Sequence, residues 1–163
     1  MSSSDRRTFL TLLAALPLAG CGFAPVYGTG GVGLALRNQV LVAAPDTRLG
    51  FELVARLEER LGRPNGAAYA LDCTITTSTT DLAITGANDI TRININGTVD
   101  FVLTELATDA QILADSVSSF AAYSTTGSSV ATAAAERDAE DRLMTILADR
   151  LVSRLLTASS RFS

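Results

Sequence analysis

The chain has 163 residues, 47% of them apolar and 18% charged, with a formal net charge of −4. That profile is globular rather than disordered, and its acidic balance argues against nucleic acid, whose phosphates need clustered cations. All thirteen cations are arginine and there is no histidine, which removes His-dependent triads, His-ligated zinc and lysine nucleophiles together.

The first twenty residues have the layout of a secretory signal. Arg6 and Arg7 form a basic start, an apolar run extends from Phe9 to Leu18, and small residues follow. A spanning helix needs about 20 consecutive apolar residues, and this run is roughly half as long before a Gly/Pro-rich stretch. Leu18-Ala19-Gly20-Cys21 resembles a lipobox, the cleavage site of lipoprotein signal peptidase, where small residues admit the backbone to the enzyme. Cys21 is therefore expected to become the lipid-bearing first residue. Arg6-Arg7-Thr8-Phe9-Leu10 also resembles a twin-arginine export signal, although Asp5 and Thr11 depart from the usual flanks. Export by the general route would give the same mature chain.

Cleavage after Gly20 leaves 143 residues, enough for one domain with a real core. The expected division is a signal at 1–20, a lipidated cysteine and tether at 21–36, and one folded unit at 37–163. With Cys21 acylated, Cys73 has no partner, so the fold is not a disulfide scaffold. In Leu71-Asp72-Cys73-Thr74-Ile75 the alternation places Cys73 on the apolar face, where an inert, buried thiol is expected.

Glycines at 28, 30, 31 and 33 mark the tether. They do not read as a phosphate loop, which would follow a strand and open a helix. Residues 37–43 are rich in Val and Leu and read as a strand that stops before Pro45. Asp46 or Thr47 can cap a helix over residues 48–61, where Leu49, Leu53, Val54, Leu57 and Leu61 recur at helical spacing. Gly62, Pro64 and Asn65-Gly66 end it.

Tyr69 to Thr76 alternates as a half-buried strand, and a threonine-rich stretch prolongs it to Thr85. Gly86-Ala87-Asn88-Asp89 supplies turn chemistry before a second alternating run from Ile90. There Ile93, Ile95, Val99, Phe101 and Leu103 share one face, and Asn94, Asn96, Asp100 and Thr104 the other. Asn96-Gly97 inside the alternation predicts a β-bulge. A loop near residues 107–110 leads to a last strand over 112–123. Ser128 or Ser129 then caps a helix from Val130 to about Leu156, with a seam of Ala135, Ala139, Leu143, Ile146 or Leu147, Leu151 and Leu155. Asp138 and Arg142 are placed to pair on its surface.

The expected fold is thus α+β, of order β-α-β-β-β-α: a two-layer sandwich in which a four-stranded, largely antiparallel sheet carries two helices on one face. The carboxylates at 58–59 and 136–141 fall on solvent faces among arginines, not in a pocket that would split their pKa values, and the serines of 116–129 have no base. Arg137, Arg142, Arg150 and Arg154 are candidate contacts for an anionic lipid head group, because guanidinium pairs bidentately with phosphate.

After the cleavage site the chain reads Cys21-Gly22-Phe23-Ala24-Pro25-Val26-Tyr27-Gly28, which resembles the opening of the lipopolysaccharide-assembly lipoprotein family LptE, alphaproteobacterial branch. Tyr69–Leu71, Ala122-Tyr123, residues 133–142 and Leu147-Ala148-Asp149 are similar to the family in order and spacing. The resemblance implies a non-catalytic lipoprotein on the periplasmic face of the outer membrane, with no cofactor beyond the diacylglycerol and N-acyl chains on Cys21. Its implied partner is the LptD β-barrel translocon, which it plugs and helps to assemble, with lipopolysaccharide as a further contact. Gly22, where an Asp would signal inner-membrane retention, agrees with outer-membrane delivery. This mature chain lacks lysine and is acidic, so no ligand-binding residue carries over. A competing reading is a periplasmic auxiliary lipoprotein of an ABC-type lipid transport system, which demands an apolar cavity for acyl chains.

Overall fold

The computed structural model describes Gly33 and residues 36–84, 90–126 and 128–158. The elements run β1 (Val40–Val42), α1 (Arg48–Leu61), β2 (Tyr69–Ile84), β3 (Ile90–Glu105), β4 (Ala110–Ser124) and α2 (Ser129–Ala158). They form a four-stranded sheet of order β1-β2-β3-β4. β2, β3 and β4 are an antiparallel meander, and β1 lies parallel to β2 because α1 carries the chain back between them. The α+β order expected from the sequence is the one observed.

β1 is shorter than expected. Residues 37–39 form a turn, since Asn38 adopts φ +60° and donates its N–H to the Leu61 carbonyl at the end of α1. The backbone there ties helix to strand instead of extending the sheet. Thr47 caps α1 through a 3.1 Å bond from the Gly50 N–H to its Oγ1. Gly62 ends the helix at φ +78°, where a Cβ would stand 2.0 Å from Asn38 Oδ1. At the other helix Ser128 is the cap, its Oγ accepting from the Ala131 N–H.

The Asn96-Gly97 bulge is not observed. Gly97 pairs in regular register with Thr77 on one side and Ser119 on the other, and the register shifts fall at Asp81–Ile84 and at Leu103/Thr104. Glycine is needed here for a different reason: a Cβ at 97 would lie 3.0 Å from Leu143 Cδ2 and 3.0 Å from Leu147 Cδ1. The position lets α2 settle directly on the strand.

The core lies between the helices and one sheet face. Leu71, Val99, Phe101 and Leu103 meet Leu53 and Leu57 of α1 and Leu143, Leu147, Leu151 and Leu155 of α2, all buried. Leu147, not Ile146, occupies the ambiguous seam position, and Ile146 is left 38% exposed. Met144, Ala148 and Val152 are also fully buried. This second stripe widens the seam because α2 packs at once on β4, on β3 and on α1. Leu36, which the sequence places in the tether, is buried in the same core.

Candidate functional site

Residues Arg6, Arg7, Leu18, Ala19, Gly20 and Cys21, which carry the export and lipidation expectations, lie outside the described residues, as do Thr85 and the turn at 86–89. Two surfaces remain for a partner.

The first is the sheet face turned away from the helices. Alternation brings Thr74, Thr76 and Ser78 of β2, Asn94, Asn96, Thr98 and Asp100 of β3, and Ser116 and Ser118 of β4 onto it, with cross-strand neighbours such as Thr76–Thr98–Ser118. Asn96 Nδ2 donates to Thr80 Oγ1 at 3.2 Å, while Asn94 Oδ1 is buried with no bonded partner. Among the described residues neither helix covers this face. Its side chains are mostly short hydroxyls and amides, with Phe120 exposed among them. Arg92 and Asp100 of β3 are the charged side chains that alternation adds to it.

The second surface is the seam between the edge strand β4 and α2. Arg142 pairs with Asp138 as expected, Nε to Oδ2 at 3.0 Å, and its Nη2 also reaches the Ala122 carbonyl at 3.5 Å. Arg150 donates to the Ser118 carbonyl. Arg154 stands 3.8 Å from Asp115 of β4. Three of the four candidate arginines therefore form one row along the strand. Arg137 is exposed on another flank of the helix, about 140° round from Arg142.

Among the described residues, Glu58 pairs with Arg63 and Glu59 with Arg56. Other carboxylates join the helices: Arg48 bonds both Glu140 and Asp141, and Arg56 bonds Asp149 with both nitrogens of its fork. Those hydrogen bonds raise the pKa of each guanidinium, which only reinforces a charge already fixed at any accessible pH. The thiol of Cys73, packed against the core, is pushed up to about 12, first by burial and then by the negative charge of Asp72. It is an inert, protonated group at neutral pH.

A family model described as LptE, lipopolysaccharide-assembly, matches residues 37–155. The chain belongs to the LptE family. Lipopolysaccharide assembly in the cell envelope is accordingly its field of action, and lipoproteins recur among its structural neighbours. A candidate lipoprotein from Caulobacter crescentus CB15 is similar at 19% identity with a TM-score of 0.67, over 80% of this chain and 97% of that one. The rare lipoprotein B of Shewanella oneidensis is similar at 12% identity and a TM-score of 0.59, over 76% and 96%. A minor lipoprotein from Acinetobacter baumannii is similar at 17% identity and a TM-score of 0.51, over 74% and 90%. At these identities the likeness is one of fold. Among curated proteins none matches the sequence.

Within this LptE-family fold, sequence reasoning missed the inter-helix pairs of Arg48 and Arg56 and the docking of Arg142 and Arg150 on strand carbonyls. The pairs join residues over ninety positions apart, and no local spacing signals them. The composition of the open face was legible, because alternation alone sorts Asn94, Asn96 and Asp100 from Ile95 and Val99.

Proposed function

We propose that this chain is an outer-membrane lipoprotein, anchored through acylated Cys21 on the periplasmic side, that seats in and plugs an LptD-type β-barrel during lipopolysaccharide assembly. It has no catalytic step. Two acyl chains suffice for stable anchoring, at about 0.8 kcal/mol per buried methylene.

One observation carries this reading beyond the family match: the fold is shut on its apolar side and open on its polar side. Leu143 and Leu147 press on Gly97 too closely even for a methyl group to be added without displacement, so helices and sheet enclose no slot for acyl chains there. The uncovered Ser/Thr/Asn face suits the water-lined wall of a large barrel, whose interior is polar. An auxiliary protein of an ABC-type system would need an apolar chamber where this one has packed leucines.

The test is a photo-crosslinking residue at Thr76, Thr98 or Ser116 in the native envelope. Adducts with a large β-barrel support the proposal. Adducts confined to inner-membrane transporter components would contradict it.

A further inference from the structure

Among the described residues β4 is an unpaired edge of the sheet, fifteen residues long, against three for β1 at the other edge. Its Leu113, Val117, Ala121 and Tyr123 are buried toward the helices. Side-chain and backbone directions alternate together along a strand, so Ser116, Ser118, Phe120 and Ala122 turn their N–H and C=O groups outward, away from β3. A long exposed edge is a template for another strand unless something blocks it. β4 contains no proline and no cation of its own, and its pairing with β3 is regular from Leu113 to Ser124. Two contacts on the edge are borrowed from α2, the Arg150 guanidinium on the Ser118 carbonyl and that of Arg142 on the Ala122 carbonyl, and one is β4's own, the Ser116 N–H donating to Asp115 Oδ1 at 2.8 Å.

We propose that this edge is a strand-addition site for an extended acidic segment of a partner protein. An exposed guanidinium on a neutral carbonyl is a replaceable contact. An incoming backbone N–H can take the carbonyl, and a carboxylate on the same incoming strand can then take the freed guanidinium in a stronger, bidentate pair.

The charge arrangement selects the partner. Asp141 and Asp149 of α2 are held by Arg48 and Arg56 on the α1 side, Asp138 by Arg142, and Asp115 lies by Arg154. Arg150, in the middle of the row, has no carboxylate partner among the described residues. A second copy of this chain would bring its own arginine row against the first, so self-pairing is opposed. Geometry adds a spacing: Ser118 and Ala122 stand about 14 Å apart along the strand, and Arg142 and Arg150 about 12 Å along the helix. Carboxylates four residues apart on the helix-ward face of an added strand meet both guanidinium groups. A groove of about 650 Å³, lined by Ser116, Ser118, Ile146, Arg150 and Arg154 among others, leaves room for those side chains. On the opposite face Phe120, 62% exposed, offers an apolar cross-strand neighbour.

This inference rests on the edge and not on the barrel assignment, and either can fail alone. The probe is a capped decapeptide alternating Glu and Val, titrated into isotope-labelled mature protein, with a Lys/Val decapeptide as comparison. The expected result is perturbation and slowed hydrogen exchange at the amides of Ser118, Phe120 and Ala122, with the Glu peptide bound at least about tenfold more tightly than the Lys peptide. Arg150→Glu should invert that preference, while Arg63→Glu, the same charge change at a distant exposed site, should leave it. Equal binding of the two peptides, a preference unchanged in Arg150→Glu, or no response of β4 at saturating peptide would overturn the proposal. So would a concentration-dependent dimer with protected β4 amides, which would make a second copy the occupant.

Discussion

Arg56 on α1 grips Asp149 on α2 with a two-pronged bond, Nε to Oδ1 at 3.1 Å and Nη2 to Oδ2 at 3.0 Å. Arg60 stands 3.7 Å from the same carboxylate, and Arg56 also holds Glu59. Beside the leucine seam, this cluster fixes how the two helices lie against each other. Arg56→Ala and Asp149→Ala should each lower the thermal midpoint, and the double variant should fall short of the sum of the two. Because these groups are water-accessible, the loss should shrink in about 1 M salt, where charges are screened within about 3 Å. Thermal melts at two salt concentrations check this. A loss independent of salt would mean that packing, not charge, is what Arg56 supplies.

Gly97 should tolerate alanine poorly and valine worse. The methyl of Gly97→Ala meets Leu143 Cδ2 and Leu147 Cδ1 at 3.0 Å and Leu143 Cγ at 3.3 Å, so two fully buried leucines must give by a few tenths of an ångström, and the stiffer unfolded chain offsets only part of that cost. Gly97→Val adds branches with nowhere to go and should destabilise by about 1–3 kcal/mol. Leu147→Ala, which opens the same contact instead of crowding it, should cost about 2–5 kcal/mol. Urea unfolding at equilibrium measures all three.

Gly97 also illustrates how legible the fold was. The leucine seams of α1 and α2 and the alternation of β2, β3 and β4 are periodic over many residues, so element order and buried faces could be read directly. Asn96-Gly97 looks like a local backbone signal, yet its cause is a helix arriving from the far end of the domain. The same limit hid Arg150 on the Ser118 carbonyl, because the exposed edge and the arginine that covers it are related only by the packing of α2 on β4. β1 is shorter than its Val/Leu-rich sequence predicts for a like reason: the Asn38 N–H is claimed by the end of α1.

Cys73 should report on the integrity of the sheet. Its folded pKa of about 12 lies above the ordinary thiol value, so the folded state holds the proton more tightly than the unfolded one. The stability this contributes is fully present below about pH 8.5 and is lost as pH rises toward the folded value. Tyr123, whose hydroxyl is also pushed up by burial and then by Glu136, acts in the same sense. Cys73→Ala should therefore flatten, without abolishing, the fall in stability at alkaline pH. In native protein at pH 8 the thiol should label with a disulfide reagent far more slowly than in urea. Rapid labelling of the folded form would contradict its assignment as an inert, packed group.

The central claim, that this LptE-family chain works as a lipid-anchored partner of a β-barrel, is tested most directly by mild-detergent purification of the tagged protein from native outer membranes, with partners identified by mass spectrometry. The account predicts a large outer-membrane β-barrel at one-to-one stoichiometry with an acylated chain that begins at Cys21. Recovery of the chain with transporter components and no barrel would contradict it.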